Sequence, residues 1–156
     1  MRRGLSLGAA GAALVLVLAA FGCGGDEDSQ PSATTGAATR SEFLTRADAI
    51  CLSIETQIEA AGDDLFSAPG RPDPAEVREF AFDVAIPKLA EEVEAIRALG
   101  VPPGDDRPIE AILVAAELGV EQIRRDPQIL VSAAPPALRE AGRLARRYGS
   151  SECGSG

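Results

Sequence analysis

The three cysteines of this sequence are the side chains whose chemistry can be assigned most directly. Their positions along the chain suggest two separate roles. Cys23 follows a basic and then apolar leader, whereas Cys51 and Cys153 bracket the part of the chain that reads as folded. Cysteine after such a leader can carry a lipid, and two cysteines in an exported domain most simply form a disulfide. The three thiols therefore predict one lipidation site and one disulfide, Cys51–Cys153.

Redox catalysis is the alternative role for Cys51 and Cys153. It requires a thiolate of low pKa, which a Cys-x-x-Cys motif or a basic neighbour provides. Neither feature accompanies these two residues. A bridge between them would close a loop of about 100 residues and stabilise the fold by about 4–5 kcal/mol in the chain-entropy model. We therefore expect a structural disulfide.

No other set of side chains matches a catalytic pattern. Histidine is absent, so no Ser–His or Cys–His pair can form and no imidazole can bind a metal. A serine nucleophile motif, a phosphate-binding loop and an EF-hand spacing are also missing. An enzyme would have to rely on a pair of acids, so the sequence predicts a non-catalytic protein without a cofactor or a metal.

A basic stripe lies near the C-terminus, where Arg139, Arg143 and Arg147 recur every four residues. These side chains share one face of a helix and could contact an anion or a partner protein. The simpler interpretation is a solvated face that is partly paired with acids. Four acidic residues are likewise expected to be exposed or ion-paired rather than catalytic: Asp48, Glu91, Glu92 and Glu94.

Residues 1–22 have the three parts of a bacterial export signal: a basic start, an apolar stretch and small residues before Cys23. The segment Ala20-Phe21-Gly22-Cys23 resembles the lipobox of bacterial lipoproteins, in which the thiol receives a diacylglyceryl group before cleavage. Two alternatives stay open. Ordinary signal peptidase could release a soluble protein, or the apolar stretch could remain as an anchor, although it is short for a spanning helix.

A lipid on Cys23 would anchor the exported protein to the outer face of the cytoplasmic membrane. Residues 23–40 are then a flexible linker, because small polar residues without apolar periodicity cannot offset the entropy of ordering. Removal of the leader takes away two arginines and leaves 13 basic against 24 acidic side chains, a net charge of about −11. Such a charge argues against nucleic acid as a partner.

Residues 41–156 are predicted to be an all-α domain, an antiparallel four-helix bundle closed by the disulfide. Apolar residues recur at steps of three and four in a first helix over about residues 41–61, which Thr39 and Glu42 begin with capping-box spacing. A second helix starts at Asp73-Pro74 and ends at Gly100, with Pro87 expected to kink it.

Two further helices complete the predicted domain. Asp105 or Asp106 caps a third helix that ends near Arg125, and a last helix runs from Pro135-Pro136 to Gly149. Residues 126–134 between them are ambiguous, with a short helical turn as one interpretation.

Three segments resemble landmarks of small exported actinobacterial lipoproteins: Phe43-Leu-Thr-Arg-Ala-Asp-Ala-Ile-Cys51, Ile96-Arg-Ala-Leu-Gly-Val-Pro-Pro103 and Ala145-Arg-Arg-Tyr-Gly-Ser-Ser-Glu-Cys-Gly154. In that group a "RADAIC"-like first helix and a terminal "YG…CG" frame the domain. The resemblance covers most of residues 41–154. It implies the helical fold and the disulfide, and it carries over no catalytic residue.

Two functions fit these predictions. The first is a membrane-tethered interaction or structural module that contacts envelope or extracellular proteins. The alternative is a carrier of a small apolar ligand between the helices. A large apolar pocket would favour the carrier, and an exposed apolar patch would favour the interaction module.

Overall fold

The computed structural model describes residues 38–154, which contain helices and no strand. The all-α prediction is therefore confirmed for this part of the chain. Six α-helices and one π-helical turn follow one another: α1 (Arg40–Ser67), α2 (Pro74–Phe80), the π turn (Ala81–Ala85), α3 (Ile86–Ala98), α4 (Asp106–Arg125), α5 (Ile129–Ser132) and α6 (Pro136–Tyr148). The predicted signal segment, Cys23 and most of the linker lie outside the described residues. Within 38–154, no helix has the length and apolarity needed to cross a membrane.

Helix α1 begins at the predicted capping box. The Glu42 backbone N–H donates to the Thr39 hydroxyl over 3.3 Å, and the Thr39 N–H donates to the Glu42 carboxylate over 2.8 Å. Two otherwise unpaired N–H groups are thereby satisfied. The helix continues to Ser67, six residues beyond the predicted end at Ala61, because the following Gly62 and Asp63 do not break it.

Helix α2 starts as predicted, with Asp73 accepting from the Ala75 N–H over 2.7 Å and Pro74 in the first helical position. Just before Pro87, where the sequence predicts a kink, the helix contains the π turn. Its last hydrogen bond runs from the Ile86 N–H to the Ala81 carbonyl, five residues earlier. Because a proline ring crowds the preceding helical turn, a wider turn at this point relieves the conflict.

Helix α4 begins at Asp106 with Asp105 before it, but the cap predicted from the side chain of one of these two residues is not formed. The Asp105 side chain makes no capping bond and instead accepts from the Tyr148 hydroxyl over 2.7 Å. The Asp105 carboxylate thus forms a tertiary hydrogen bond with Tyr148 and does not cap the backbone N–H groups at the start of α4. Helix α6 also has no side-chain cap of its own, and Gln122 of α4 accepts from the Ala137 N–H over 3.1 Å.

Within residues 38–154, many of the buried apolar side chains belong to one of two clusters. The larger cluster joins α1, α3, α4 and α6 around Phe43, Val93, Leu113 and Tyr148. The smaller cluster lies around Ala81, Ile86, Val120 and Ile123, with Leu89, Leu130 and Leu138 packed against it.

Candidate ligand-binding cavity

A cavity of about 460 Å³ lies among α1, α3, α4 and α6. Its lining includes side chains of both apolar clusters. Helix α4 contributes only apolar ones to it: Ile109, Ile112, Leu113, Ala116, Val120 and Ile123. Ligand sites for small molecules commonly have volumes of about 300–1,000 Å³ and mainly apolar walls. In size and lining, the cavity is suited to a small apolar molecule.

The cavity follows from unequal helix spacing. The backbones of α4 and α6 approach most closely, and α3 packs against both α1 and α4. The close approach of α4 to α6 depends on Gly119, where a Cβ atom would overlap the side chain of Leu138. Extensive backbone contact is not found between α1 and α6 within residues 38–154. Side chains and the C-terminal segment, residues 149–154, join these two helices instead.

The π turn forms part of the cavity wall. Ala85, its last residue, and Phe80, the residue before it, both line the cavity. Single π turns inside α-helices are frequent at functional sites, because the extra residue redirects neighbouring side chains. Here the turn forced by Pro87 shapes the wall formed by α2 and α3.

Glu92 of α3 is the acidic group whose setting is most unusual. Its side chain lines the cavity and is partly buried, and its Oε1 atom lies 3.5 Å from the Sγ atom of Cys51. Burial, followed by the nearby charge of Glu55, raises the pKa of Glu92 to about 7. Near neutral pH this carboxyl is therefore divided between its charged and neutral forms.

The prediction that Glu92 lies on the surface with Glu91 and Glu94 is wrong. The other two are exposed, and each forms an ion pair, Glu91 with Lys88 and Glu94 with Arg97. The spacing along the helix could have indicated this burial. Glu92 lies three residues after Leu89 and four before Ile96, on the same face of α3, and both of those residues line the cavity. Glu55 holds the equivalent position on α1, four residues after Cys51.

Cys51 and Cys153 form the predicted bond, with their Sγ atoms 2.04 Å apart. Both cysteines are buried and line the cavity. The bond joins the middle of α1 to the segment that follows α6. It therefore holds together the two walls that lack extensive backbone contact.

Asp48 supports the same junction by binding the C-terminal segment. Its carboxylate accepts from the Ser150 hydroxyl at 2.5 Å, from the Ser151 hydroxyl at 2.8 Å and from the Ser151 N–H at 3.1 Å. A further bond comes from the Glu152 N–H at 3.3 Å. Burial acts to raise the pKa of Asp48, but these hydrogen bonds together outweigh it and lower the pKa. The residue has a structural role and forms no salt bridge here.

Tyr148 lines the cavity and contacts the start of α1. The Arg40 guanidinium lies 4.1 Å from the centre of the Tyr148 ring and donates to the Tyr148 carbonyl over 2.6 Å. Burial and then the hydrogen bond to Asp105 raise the pKa of the Tyr148 hydroxyl to about 12. This hydroxyl stays protonated at neutral pH and acts as a donor.

The predicted arginine stripe lies on the exposed face of α6. Arg143 forms an ion pair with Glu140 of the same helix, and Arg139 donates to the Ala134 carbonyl. Arg139 also lines the cavity, together with Arg146, which donates to the Gly154 carbonyl. Arg143 and Arg147 are not part of the lining. Of the predicted stripe, Arg139 therefore lies at the edge of the cavity, and Arg143 and Arg147 lie on the outer surface of α6.

Residues 38–154 contain no group of three or more Asp, Glu, Cys or His side chains arranged to hold a metal ion. Comparisons with protein-family models, curated proteins and solved structures found no match for this chain.

Proposed function

We propose that this protein binds and carries a small apolar ligand in the cavity among α1, α3, α4 and α6. The observation that carries the proposal is a cavity of about 460 Å³ whose walls are mainly apolar. Its position between two apolar clusters provides dispersion contacts on several sides. Nothing in this function requires catalysis, in agreement with the non-catalytic role predicted from the sequence.

The proposal includes an antiparallel four-helix bundle made of α1, the π-interrupted helix α2–α3, α4 and α6. Contacts between opposite helix ends support it. The start of α1 meets the end of α6 through Arg40 and Tyr148, and the start of α6 meets the end of α4 through Ala137 and Gln122. Residues between the helices of a bundle commonly form ligand sites.

A lipid on Cys23 remains part of the proposal. The protein would then present its cavity on a linker at the outer face of the cytoplasmic membrane. Apolar molecules concentrate in membranes, so a tethered binder would exchange them over a short distance. The lipobox-like segment before Cys23 supports this location at the membrane.

An interaction module is the second candidate, and a specific surface favours it. Val114 and Leu118 lie one turn apart on α4 and are 41% and 56% exposed. Neighbouring exposed apolar side chains are typical of surfaces that contact other proteins. An envelope or extracellular protein is the partner class that fits an exported domain.

One purification distinguishes the two candidates. The full-length tagged protein is extracted from its own membranes in a mild detergent, and everything retained is identified by mass spectrometry. We expect a stoichiometric apolar molecule. A protein partner that survives salt washing and is lost in Leu118→Ser, with no bound apolar molecule, would overturn the carrier proposal.

A further inference from the structure

The charged side chains in the cavity lining are distributed unequally. Among residues 38–154, four acids and two arginines contribute: Glu55 and Glu59 from α1, Glu92 from α3, Glu152 from the C-terminal segment, and Arg139 and Arg146 from α6. The arginines are exposed and each donates to a backbone carbonyl, of Ala134 and Gly154 respectively. Glu55 and Glu92, by contrast, are partly buried.

Glu55 and Glu92, the inner acids, lie on α1 and α3, two helices that pack against each other. The charge of Glu55 acts on Glu92, and the Glu92 carboxyl lies 3.5 Å from the Cys51 sulfur, which as part of a disulfide has no proton to donate. For Glu92, the ionised carboxylate in this setting is costly unless a cation or a donor accompanies it.

We propose that the cavity binds an amphiphile whose apolar body contacts the apolar walls and whose head group is an organic cation, a protonated amine, held by Glu92 and Glu55. This inference rests on the proposed carrier function and specifies its ligand class. An ammonium group has three donors and one positive charge, which match two neighbouring carboxylates. A metal ion is the poorer fit, because no three metal-ligating side chains converge within residues 38–154.

An anionic amphiphile fits less well. Its carboxylate would have to use Arg139 or Arg146 at the exposed edge, where solvent weakens an ion pair to about 0–1 kcal/mol. Moving the head group inward would place it beside Glu92 and Glu55, where like charges repel. The interior of the cavity therefore selects a positive head group.

The test compares three probes that share one alkyl chain: dodecylamine, dodecanol and dodecanoate. Binding is measured by equilibrium dialysis with the full chain held in an amphipathic polymer, at about pH 8, where the raised pKa of Glu92 leaves it mostly ionised. We expect the amine to bind at least about tenfold more tightly than the alcohol, with dodecanoate weakest. Background uptake by the polymer is subtracted.

Glu92→Gln should reduce the preference for the amine to about twofold or less, whereas Glu91→Gln should leave it unchanged. Glu91 is the matched control, since it is the adjacent acid on α3 but is exposed and paired with Lys88. In the unmodified chain, lowering the pH to about 5 should also reduce the preference, because Glu92 is then protonated. This second readout does not depend on the folding of a variant.

The outcomes separate the two proposals. If dodecanol binds as tightly as the amine, or if dodecanoate binds most tightly, the cationic head group is excluded while the carrier function stands. A preference that persists in Glu92→Gln also overturns the inference. If none of the probes shows saturable binding, the carrier function itself fails.

Discussion

The Oε1 atom of Glu92 lies 3.5 Å from the Sγ atom of Cys51, whose sulfur is part of a disulfide. That sulfur can accept a hydrogen bond but cannot donate one, so only the protonated form of Glu92 can donate to it. The contact favours the neutral carboxyl, in the same direction as burial and the charge of Glu55, which raise the pKa of Glu92 to about 7. The proton on Glu92 is thereby linked to the packing of α3 against α1.

The stability of the fold should fall as the pH rises through about 7. The carboxyl of Glu92 has a pKa of 4.5 when unperturbed and about 7 in the folded chain, so between these values only the folded chain keeps the proton. Its contribution, on the order of 3 kcal/mol, is fully present below about pH 4.5 and is lost as the pH rises through the folded pKa. No histidine titrates in this range, since the chain has none.

Glu92→Gln should flatten this dependence between about pH 5 and pH 8 in urea unfolding followed by circular dichroism. Glu91→Gln, which removes an equal charge from the exposed side of the same helix, should retain it. Equal pH profiles for the unmodified chain and Glu92→Gln would contradict the assignment.

Loss of the disulfide should destabilise the domain by about 4–5 kcal/mol, because Cys51 and Cys153 are 102 residues apart and the bond restricts the unfolded chain. The measurement is urea unfolding of Cys51→Ser/Cys153→Ser beside the unmodified chain. A difference below about 1 kcal/mol would show that the bond contributes little to the fold.

Gly119→Ala should destabilise the fold although alanine favours helices. The helix preference of alanine over glycine is about 1 kcal/mol. The new Cβ atom, however, would overlap the Leu138 side chain and lie 3.0 Å from the Leu138 backbone nitrogen, and such overpacking costs about 1–3 kcal/mol. Ala111→Gly, at an exposed site of the same helix, calibrates the preference. Thermal unfolding that shows Gly119→Ala to be stabilised would refute the close approach of α4 and α6.

Asp48→Asn should loosen the C-terminal segment, because an amide cannot accept all four hydrogen bonds that the carboxylate receives. We expect a loss of about 2 kcal/mol at neutral pH. The pKa of Asp48 is lowered on folding, so its contribution is present above the unperturbed value of 3.8 and is lost as the pH falls through the folded pKa.

The difference between Asp48→Asn and the unmodified chain should accordingly shrink in acid. Hydrogen exchange at the Ser151 and Glu152 amides provides a local readout, and Asp64→Asn, an exposed acid on α1, is the control. Unchanged exchange at both amides would exclude the proposed role.

Cys23→Ser should abolish incorporation of labelled palmitate and release the protein from the membrane fraction, or retain it as an uncleaved precursor. The lipobox-like sequence before Cys23 is the reason for this expectation. Cys51→Ser/Cys153→Ser should still be labelled, since those thiols form the disulfide. Labelling that persists in Cys23→Ser would exclude a lipid at that position.

Local sequence signals predicted most of the helices correctly. Thr39 with Glu42 and Asp73 with Pro74 mark helix starts through contacts of only a few residues, so their bonds could be anticipated. Gly149 ends α6 with a φ of 120°, in the region that favours glycine.

The errors concern side chains whose partners are distant in the sequence. The sequence predicts that Asp105 or Asp106 caps α4, but the Asp105 carboxylate accepts a hydrogen bond from Tyr148, 43 residues away. Glu92 was assigned to the surface because it is an acid, whereas α1 covers it through Cys51. The cavity could not be predicted from neighbouring residues in the sequence. It depends on how closely α4 approaches α6 and how α3 packs against α1 and α4.

The most direct test of the carrier function is a substitution whose larger side chain fills the cavity. Ala116 of α4 lines it, whereas Ala111 of the same helix is exposed. The neutral apolar fluorophore N-phenyl-1-naphthylamine is titrated into the full chain and into Ala116→Phe and Ala111→Phe, after circular dichroism has shown that both variants are helical. We predict saturable binding of one molecule per chain, retained in Ala111→Phe and lost in Ala116→Phe. Equal binding by the two variants, or no saturable binding by the unmodified chain, would contradict the account.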